Sequence, residues 1–195
     1  MALSWANQTT NRGDLMDLRQ FLIVFSVTLS LVSPARADQE CVRKVFRDFC
    51  LGGSLAQQLE RQPTKSPLRR KGERAGAIYT QERERIYVMA YKGQIYKVLR
   101  TFDPATYSTY RDLQRSLARK YGKSEEKSQF PARIRGRAAR IGAARRGEGE
   151  FHEVWSPAGK AWRVELSWSR KLGVALAYLV NELDRQQKAN HEIDL

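Results

Sequence analysis

The sequence is poor in the residues that build metal centres. Its 195 residues include only two histidines, His152 and His191, and only two cysteines, Cys41 and Cys50. Structural zinc sites need four such ligands at short spacings, and neither histidine lies near a cysteine or a group of carboxylates in the sequence. We therefore expect no metal site and no other cofactor.

Recognisable catalytic motifs are also missing. Gly52-Gly53-Ser54 lacks the G-x-S-x-G spacing of a hydrolase nucleophile, and the chain has no Walker loop and no G-x-G-x-x-G fingerprint. His152 and Glu153 are neighbours in a predicted strand, so their side chains point to opposite faces. We expect no catalytic residues and no enzymatic activity. An enzyme whose site is assembled from scattered Asp, Glu, Tyr and Arg side chains is the alternative.

No apolar run is long enough to cross a bilayer. Residues 21–32 form an apolar run of about twelve residues, whereas a transmembrane helix needs roughly twenty. The Ser-Pro break and the Ala35-Arg36-Ala37 sequence that follow are typical of a secretory signal and its cleavage site. We predict a signal peptide over 1–37, with Met16 as a better start than the first residue, and a mature chain that begins at Asp38. The alternative is a buried core helix.

Acidic residues are too few to balance the basic ones. The chain has 35 Lys and Arg against 21 Asp and Glu, a formal net charge of +14. Residues 1–37 contain three of the basic and two of the acidic residues, which leaves the predicted mature chain at +13. Such a surface attracts polyanions through its long-range field. For a periplasmic or secreted protein these are anionic lipid headgroups, lipopolysaccharide, acidic polymers or an acidic protein; nucleic acid is the alternative for a protein that is not exported.

Two alternating strands form the clearest structural pattern. Residues 86–91 alternate between two faces, Lys92-Gly93 is typical of a tight turn, and residues 95–100 alternate again. Strict alternation places Ile95 and Val98 on opposite faces of the second strand. The pattern predicts a β-hairpin.

An amphipathic helix is predicted directly after this hairpin. Asp103-Pro104 favours a helix start, because Asp accepts an exposed N–H and Pro fits the first helical turn. Gly122 is predicted to end the helix as a left-handed cap. Between them, apolar and aromatic residues recur at helical spacing, namely Tyr110, Leu113, Leu117 and Tyr121.

The remaining pattern completes an α+β domain over 38–180. Ser54 is placed to cap a short helix, residues 61–74 predict a surface loop, and 181–195 a fraying polar helical tail. Trp162 and Trp168 belong to an apolar strand face, which favours core over a stacking platform. Further strands are predicted at 76–80, 151–155, 162–168 and 174–180. The predicted fold is an antiparallel sheet of two meanders covered by amphipathic helices.

The two cysteines are predicted to form a disulfide. An oxidising compartment favours pairing of Cys41 with Cys50. Apolar residues at i, i+3, i+4 and i+7 predict that 41–50 is a short helix, and the bond then requires this helix to end before Cys50. Two separate thiols are the alternative.

An Arg-rich segment at 131–147 is the best functional candidate. It contains six arginines and no acidic residue, and Gly136 and Gly142 weaken any helix there by roughly 1 kcal/mol each relative to Ala. Ile134, Ala138 and Ile141 would line one side of such a marginal helix. We predict an anion-binding surface, because Arg forks pair with phosphate or carboxylate; a solvated loop is the alternative. The candidates are Arg133, Arg135, Arg137, Arg140, Arg145 and Arg146.

Four motifs follow one another in a fixed order. They are Leu51-Gly52-Gly53-Ser54, a hairpin ending in Gly93-Gln94-Ile95-Tyr96-Lys97-Val98, a helix ending in Lys120-Tyr121-Gly122, and an apolar strand after Trp155. In this order the chain resembles a broad group of small, mostly uncharacterised exported bacterial proteins. The likeness covers about residues 46–180, implies the α+β fold and implies no activity. Relative to that group the Arg-rich segment is an insertion.

These observations predict an exported, basic binding or structural protein of the bacterial cell envelope. The alternatives are a nucleic-acid-binding protein and an enzyme without a recognisable motif.

Overall fold

The structure, a computed structural model, describes residues 41–46 and 48–193. The predicted signal peptide, its cleavage site and the start at Asp38 lie outside these residues. The strands are β1 (Arg43–Val45), β2 (Phe49–Leu51), β3 (Arg69–Lys71), β4 (Arg74–Gln81), β5 (Glu84–Tyr91), β6 (Gln94–Phe102), β7 (Glu125–Glu126), β8 (Phe151–Trp155), β9 (Trp162–Ser169) and β10 (Gly173–Val180). The helices are α1 (Leu55–Arg61), α2 (Tyr107–Tyr121), α3 (Arg137–Arg146) and α4 (Asn181–Ile193).

A large antiparallel sheet organises the molecule. Its eight strands follow the order β3-β4-β5-β6-β10-β9-β8-β7, and β1 and β2 form a separate hairpin. The first meander is β3 to β6, the second is β7 to β10, and β6 pairs with β10 to join them. The predicted α+β fold with its two antiparallel meanders is therefore confirmed.

One face of the sheet carries the main core. Trp155, Trp162 and Trp168 are only 1%, 5% and 4% exposed and lie in the same cluster as Tyr110 and Leu117 of α2. The predicted core position of Trp162 and Trp168 is thus confirmed. Full burial of one large apolar side chain contributes about 1.5–3 kcal/mol, so these alternating strand residues supply much of the stability.

A β-bulge in β6 changes which residues reach this core. Met89 pairs with Lys97 but Ala90 pairs with Ile95, so Tyr96 is an extra residue in the strand. An extra residue reverses the alternation beyond it. Ile95 and Val98 consequently lie in the same core, both fully buried, and their predicted placement on opposite faces was wrong.

Residues 41–50 form a disulfide-linked β-hairpin, and the predicted helix was wrong. Val45 pairs with Phe49 across a turn at which Phe46 has a φ of 46°. Cys41 and Cys50 are bonded, with their Cα atoms 5.3 Å apart, so the predicted disulfide is confirmed. A continuous helix would hold residues nine positions apart too far from each other, whereas strands that run antiparallel bring them together.

An arginine anchors this hairpin to the sheet. The Arg43 guanidinium lies 3.8 Å from the ring centre of Trp162 and donates a hydrogen bond of 2.8 Å to the Tyr121 hydroxyl. Tyr178 is a third aromatic neighbour, at 5.3 Å. A cation over aromatic faces is stabilising, most of all when it is partly desolvated, as it is here.

The helix ends agree only in part with the sequence patterns. The Ser54 hydroxyl caps α1 as predicted, by accepting the Gln57 N–H. Helix α2 begins three residues after Pro104, because the Thr106 hydroxyl accepts the Thr109 N–H at 3.1 Å and provides the cap expected from Asp103. Gly122 ends α2 with a φ of 83° but a ψ of −152°, which is not the predicted left-handed helical conformation.

The second face of the sheet is partly apolar and partly charged. Its small buried cluster contains Leu99, Ala175, Ala177 and Leu179. Helix α4 packs against β6 and β10, and its Asp184 is only 5% exposed. Residues 181–193 of the expected fraying tail therefore form a helix that packs against the sheet.

Candidate functional site

The Arg-rich segment is fixed to the sheet by α3. Ala143 and Ala144 of α3 are buried, Ile141 packs at the margin of the core, and the helix contacts β9. The sequence predicted that Ala138 lines the apolar side of this helix together with Ile134 and Ile141. That prediction was wrong for Ala138, which is exposed, because only the second half of α3 faces the sheet. The arginines are therefore displayed on an ordered helix and its approach.

Two of the six candidate arginines have acidic partners. Arg140 pairs with Glu126 at 3.3 Å and lies over the ring of Phe130. Arg146 donates two hydrogen bonds to Glu148, at 2.7 and 3.0 Å, and this guanidinium lowers the pKa of Glu148. Both acids lie just outside the segment in sequence, so the absence of acids within it does not leave these two charges free.

The other four arginines keep their charge exposed. In the part of the chain that the structure describes, none of them has an acidic group within 4.0 Å, and all four side chains are solvent-exposed. They are Arg133, Arg135, Arg137 and Arg145. After Arg146, the charge of Arg133 also contributes to lowering the pKa of Glu148, but none of the four forms a salt bridge. Exposed guanidinium groups without such a partner are free to form bidentate contacts with phosphate or carboxylate.

A polar pocket lies directly beside the segment. It has a volume of about 430 Å³ and is bounded by α2, by the start of α3, and by β7 and β8. Its buried wall consists of Tyr110, Phe151 and Glu153, while Arg137 stands at its exposed rim. The pocket is also lined by Tyr107, Arg111, Gln114, Glu126 and Arg140.

Glu153 is a buried carboxylate held by neutral donors. It is 7% exposed, and it accepts hydrogen bonds from the Tyr110 hydroxyl at 3.1 Å, from the Ser124 hydroxyl at 2.5 Å and from the Gln114 amide. No Lys or Arg of the described chain lies within 4.0 Å of it. Burial, and then the neighbouring Glu153 charge, raise the pKa of Tyr110 far above its usual value, so this hydroxyl stays protonated and donating.

Sequence reasoning did not identify this pocket. A signal for Glu153 was present, because the residue lies in a strand between Phe151 and Trp155 on the same face, and an acid at an apolar-face position needs a reason. Nothing in the local sequence indicates that Tyr107, Arg111 and Gln114 of α2 lie beside it. Their helical spacing is visible, but their partner is set by the packing of α2 on β8 and β9.

A second charged cluster lies on the opposite face of the sheet. Arg163 donates to Glu165 at 2.8 Å and to Asp184 at 2.6 Å, and Lys97 lies 3.6 Å from Glu165. Burial by itself would raise the pKa of Glu165, but Lys97 and Arg163 outweigh it and lower the pKa. His152 lies 3.9 Å from Glu165, on the face opposite Glu153 as the strand pattern predicts. The internal pairing of these charges is typical of a structural network.

Residues 41–46 and 48–193 offer few other functional features. Within them, no group of three or more His, Cys, Asp and Glu residues is arranged to hold a metal ion. None of the helices in this part of the chain is long and apolar enough to cross a membrane. The disulfide is typical of proteins that reside in oxidising compartments outside the cytosol, and this agrees with the predicted export.

Comparison with known proteins places few limits on the function. No protein-family model matches the chain, and no curated protein matches its sequence. One solved structure with local similarity is a cysteine-rich secretory protein from Staphylococcus aureus subsp. aureus Mu50, with 7% sequence identity and a TM-score of 0.39. The match covers 68% of this chain and 45% of that one, so this chain spans less than half of that protein's length.

Proposed function

We propose that this protein is an exported binding protein of the bacterial cell envelope, located in the periplasm or outside the cell, that holds an anionic envelope component. The observation that carries the proposal is the set of four exposed arginines without salt-bridge partners on α3 and the residues just before it, namely Arg133, Arg135, Arg137 and Arg145. The ligand classes are lipid headgroups, lipopolysaccharide, an acidic polymer and an acidic protein.

The fixed position of α3 supports a binding role. Ordering a flexible arginine on binding costs about 0.5–1.5 kcal/mol per side chain, and a loop costs more. Because Ala143 and Ala144 anchor α3, that backbone cost has been met before a ligand arrives for Arg137 and Arg145, which lie on this helix; Arg133 and Arg135 precede it. The overall positive charge adds long-range attraction for a polyanion.

A charge-matched comparison tests the proposal. Replacement of Arg133, Arg135, Arg137 and Arg145 by Gln removes four exposed charges and keeps polar side chains of similar helix propensity. A basic residue near an anionic surface contributes about 1 kcal/mol, so binding to vesicles containing anionic lipid, or to lipopolysaccharide, is expected to weaken roughly a hundredfold or more. Co-sedimentation of the mature protein with vesicles at low salt measures the change.

The control variant removes the same charge elsewhere. Lys65, Arg85, Arg119 and Lys160 are exposed and lie outside the Arg-rich segment, and their replacement by Gln is expected to weaken binding by less than about tenfold. Wild-type binding should also fall with salt, because the Debye length shrinks from about 10 Å at 0.1 M to about 3 Å at 1 M. Equal losses in the two variants, or a wild type that ignores anionic vesicles, would contradict the proposal.

The location is tested separately. Intact mass of protein purified from its native host is expected to match a chain that begins at Asp38. A full-length product in the cytoplasm would remove the envelope from consideration and would make nucleic acid the polyanion to test.

A further inference from the structure

The pocket beside the Arg-rich segment combines chemical groups that a plain anion does not need. We propose that it binds one acidic sugar residue of an envelope polysaccharide: the sugar hydroxyl groups contact Glu153 and Gln114, the ring lies against Tyr107, and the acid group reaches Arg137. This assignment rests on the proposed function, since Arg137 belongs to the exposed arginine set.

The buried wall of the pocket favours hydroxyl groups over charge. Glu153 is 7% exposed and contacts only neutral donors, so a phosphate or carboxylate placed deep in the pocket would be repelled by an unneutralised negative charge. An ionised carboxylate has about four lone-pair positions, and three are used by Tyr110, Ser124 and Gln114. The remaining position accepts a hydroxyl hydrogen, which is the group that sugars provide most abundantly.

The rim of the pocket, in contrast, favours a negatively charged group. Arg137 is exposed and has no acidic partner within 4.0 Å in the described chain, and the Nε of Arg140 is buried without a hydrogen-bond partner. Arg111 lies beside them and donates to the Gln114 Oε1 at 2.6 Å, which orients the Gln114 amide toward Glu153. An acid group at the rim therefore meets the unpaired guanidinium of Arg137, whereas the same group at the floor meets Glu153; Arg140 is already paired with Glu126.

An aromatic side chain completes the site. Tyr107 lines the pocket and is half-buried, and its ring is braced by Tyr110, Phe151 and Trp168 with centroids 6.1, 5.5 and 5.6 Å away. A braced ring presents an apolar surface to the C–H groups of a sugar without losing conformational freedom. The cavity of about 430 Å³ also lies within the usual range of small-ligand pockets, about 300–1,000 Å³.

The first experiment compares three probes on the mature wild-type protein. Tri-galacturonate carries hydroxyl and carboxylate groups, maltotriose carries only hydroxyl groups, and inorganic phosphate carries only charge. Isothermal titration calorimetry is expected to show tri-galacturonate binding at least about tenfold more tightly than either of the others. Trp168 lies against Tyr107, so its fluorescence provides a second readout. Phosphate or maltotriose binding as tightly as tri-galacturonate would overturn the proposal.

The second experiment locates the site. Tyr107→Ala, Glu153→Gln and Gln114→Ala are each expected to weaken tri-galacturonate binding by about tenfold or more. Gln114 lies on the partly exposed side of α2, where Ala favours the helix, so this variant tests the pocket even if Glu153→Gln fails to fold. Two controls are expected to bind like wild type: Lys160→Gln, which removes an exposed charge outside both the Arg-rich segment and the pocket, and Tyr87→Ala, which removes a half-buried tyrosine from the second face.

The two proposals fail in different ways. If wild type binds no anionic vesicle, lipopolysaccharide or acidic polymer, the envelope-binding function is wrong. If wild type binds them through the four arginines but Tyr107→Ala and Gln114→Ala bind tri-galacturonate as tightly as wild type, only the sugar-binding pocket is wrong.

Discussion

Arg163 is the residue on which the charged cluster of the second face depends. Its side chain is 17% exposed and contacts both Glu165 and Asp184. Burial opposes ionisation of Asp184, but hydrogen bonds from Arg163 and Lys188 lower its pKa, and the pKa of Glu165 is lowered as well. Both carboxylates are therefore more acidic in the folded protein than in the unfolded chain.

The stability of the protein should consequently depend on pH through these two acids. A lowered folded-state pKa contributes stability that is present above the unfolded pKa values, about 3.9 for Asp and 4.3 for Glu, and that is lost as the pH falls through the folded values. We expect the free energy of unfolding in urea to fall steadily below about pH 4.

A substitution at Arg163 tests whether its ion pairs cause this pH dependence of stability. Arg163→Met should lower stability at pH 7 by about 3 kcal/mol, because it leaves two partly buried carboxylates with fewer partners, and it should flatten the acid dependence. Arg185→Met is the control, since Arg185 pairs with Glu182 at an exposed position and such pairs contribute about 0–1 kcal/mol. Equal pH profiles for wild type and Arg163→Met would contradict this explanation.

Individual residues of the candidate site could be predicted only where they lie close together in the sequence. The arginines at 133–146 stand out because they cluster within one segment. The acid partners of Arg140 and Arg146 and the hydrogen-bond donors of Glu153 come from other elements. Their positions follow from helix and strand packing, which the local spacing of charges does not encode.

Among the elements, the disulfide hairpin of β1 and β2 is the clearest difference from the sequence prediction. Its apolar residues fit helical spacing, and ten residues are too few for that spacing to exclude a hairpin. The positive φ of Phe46, which makes the turn, is not a preference of phenylalanine. By contrast, Lys92-Gly93 was predicted correctly, because both residues take positive φ and Gly favours it.

The disulfide is expected to stabilise the whole domain. Closing a short loop in the unfolded chain contributes roughly 2–3 kcal/mol, so Cys41→Ser/Cys50→Ser should lower the free energy of unfolding by about that amount. Unfolded, unreduced wild type should show no titratable thiol. Reduced wild type is the matched control and should be as unstable as the double variant; a wild type that is insensitive to reductant would contradict the prediction.

At the level of the whole molecule, the eight strands of the sheet form one series, and within residues 41–46 and 48–193 its two outermost strands each pair with one neighbour. One edge is β3, whose Arg69, Arg70 and Lys71 are all exposed; the other is β7, which has only two residues. Exposed edges invite pairing with other chains, and basic side chains or very short strands prevent it. The basic charge thus limits self-association and also favours binding of the proposed anionic ligand.

Neutralising the longer edge should make the protein self-associate. Arg69→Thr, Arg70→Thr and Lys71→Thr keep a strand-compatible backbone and remove the repulsion, so static light scattering at neutral pH is expected to rise with time and concentration. Arg85→Thr, Lys160→Thr and Lys171→Thr remove equal charge away from this edge and should leave scattering unchanged. Similar scattering from both variants would show that net charge, not the edge, controls association.

The two meanders were predictable, but the way in which they join was not. Each hairpin is visible from alternation and turn residues, because its strands are neighbours in sequence. The pairing of β6 with β10 links strands that are far apart in sequence, and it leaves no local pattern.

The pairing of β6 with β10 also determines the earliest stage of synthesis at which the sheet can be completed. The last strand in sequence, β10, lies in the middle of the sheet, between β9 and β6, and its partners in β6 precede it by roughly 70 to 80 residues. A chain emerging from the ribosome cannot close its central strands until residue 180 has been made, and contacts between such distant residues form slowly. The sheet is therefore incomplete until the end of β10 has been made, so under the proposed export the chain would still lack its full fold while it is being translocated.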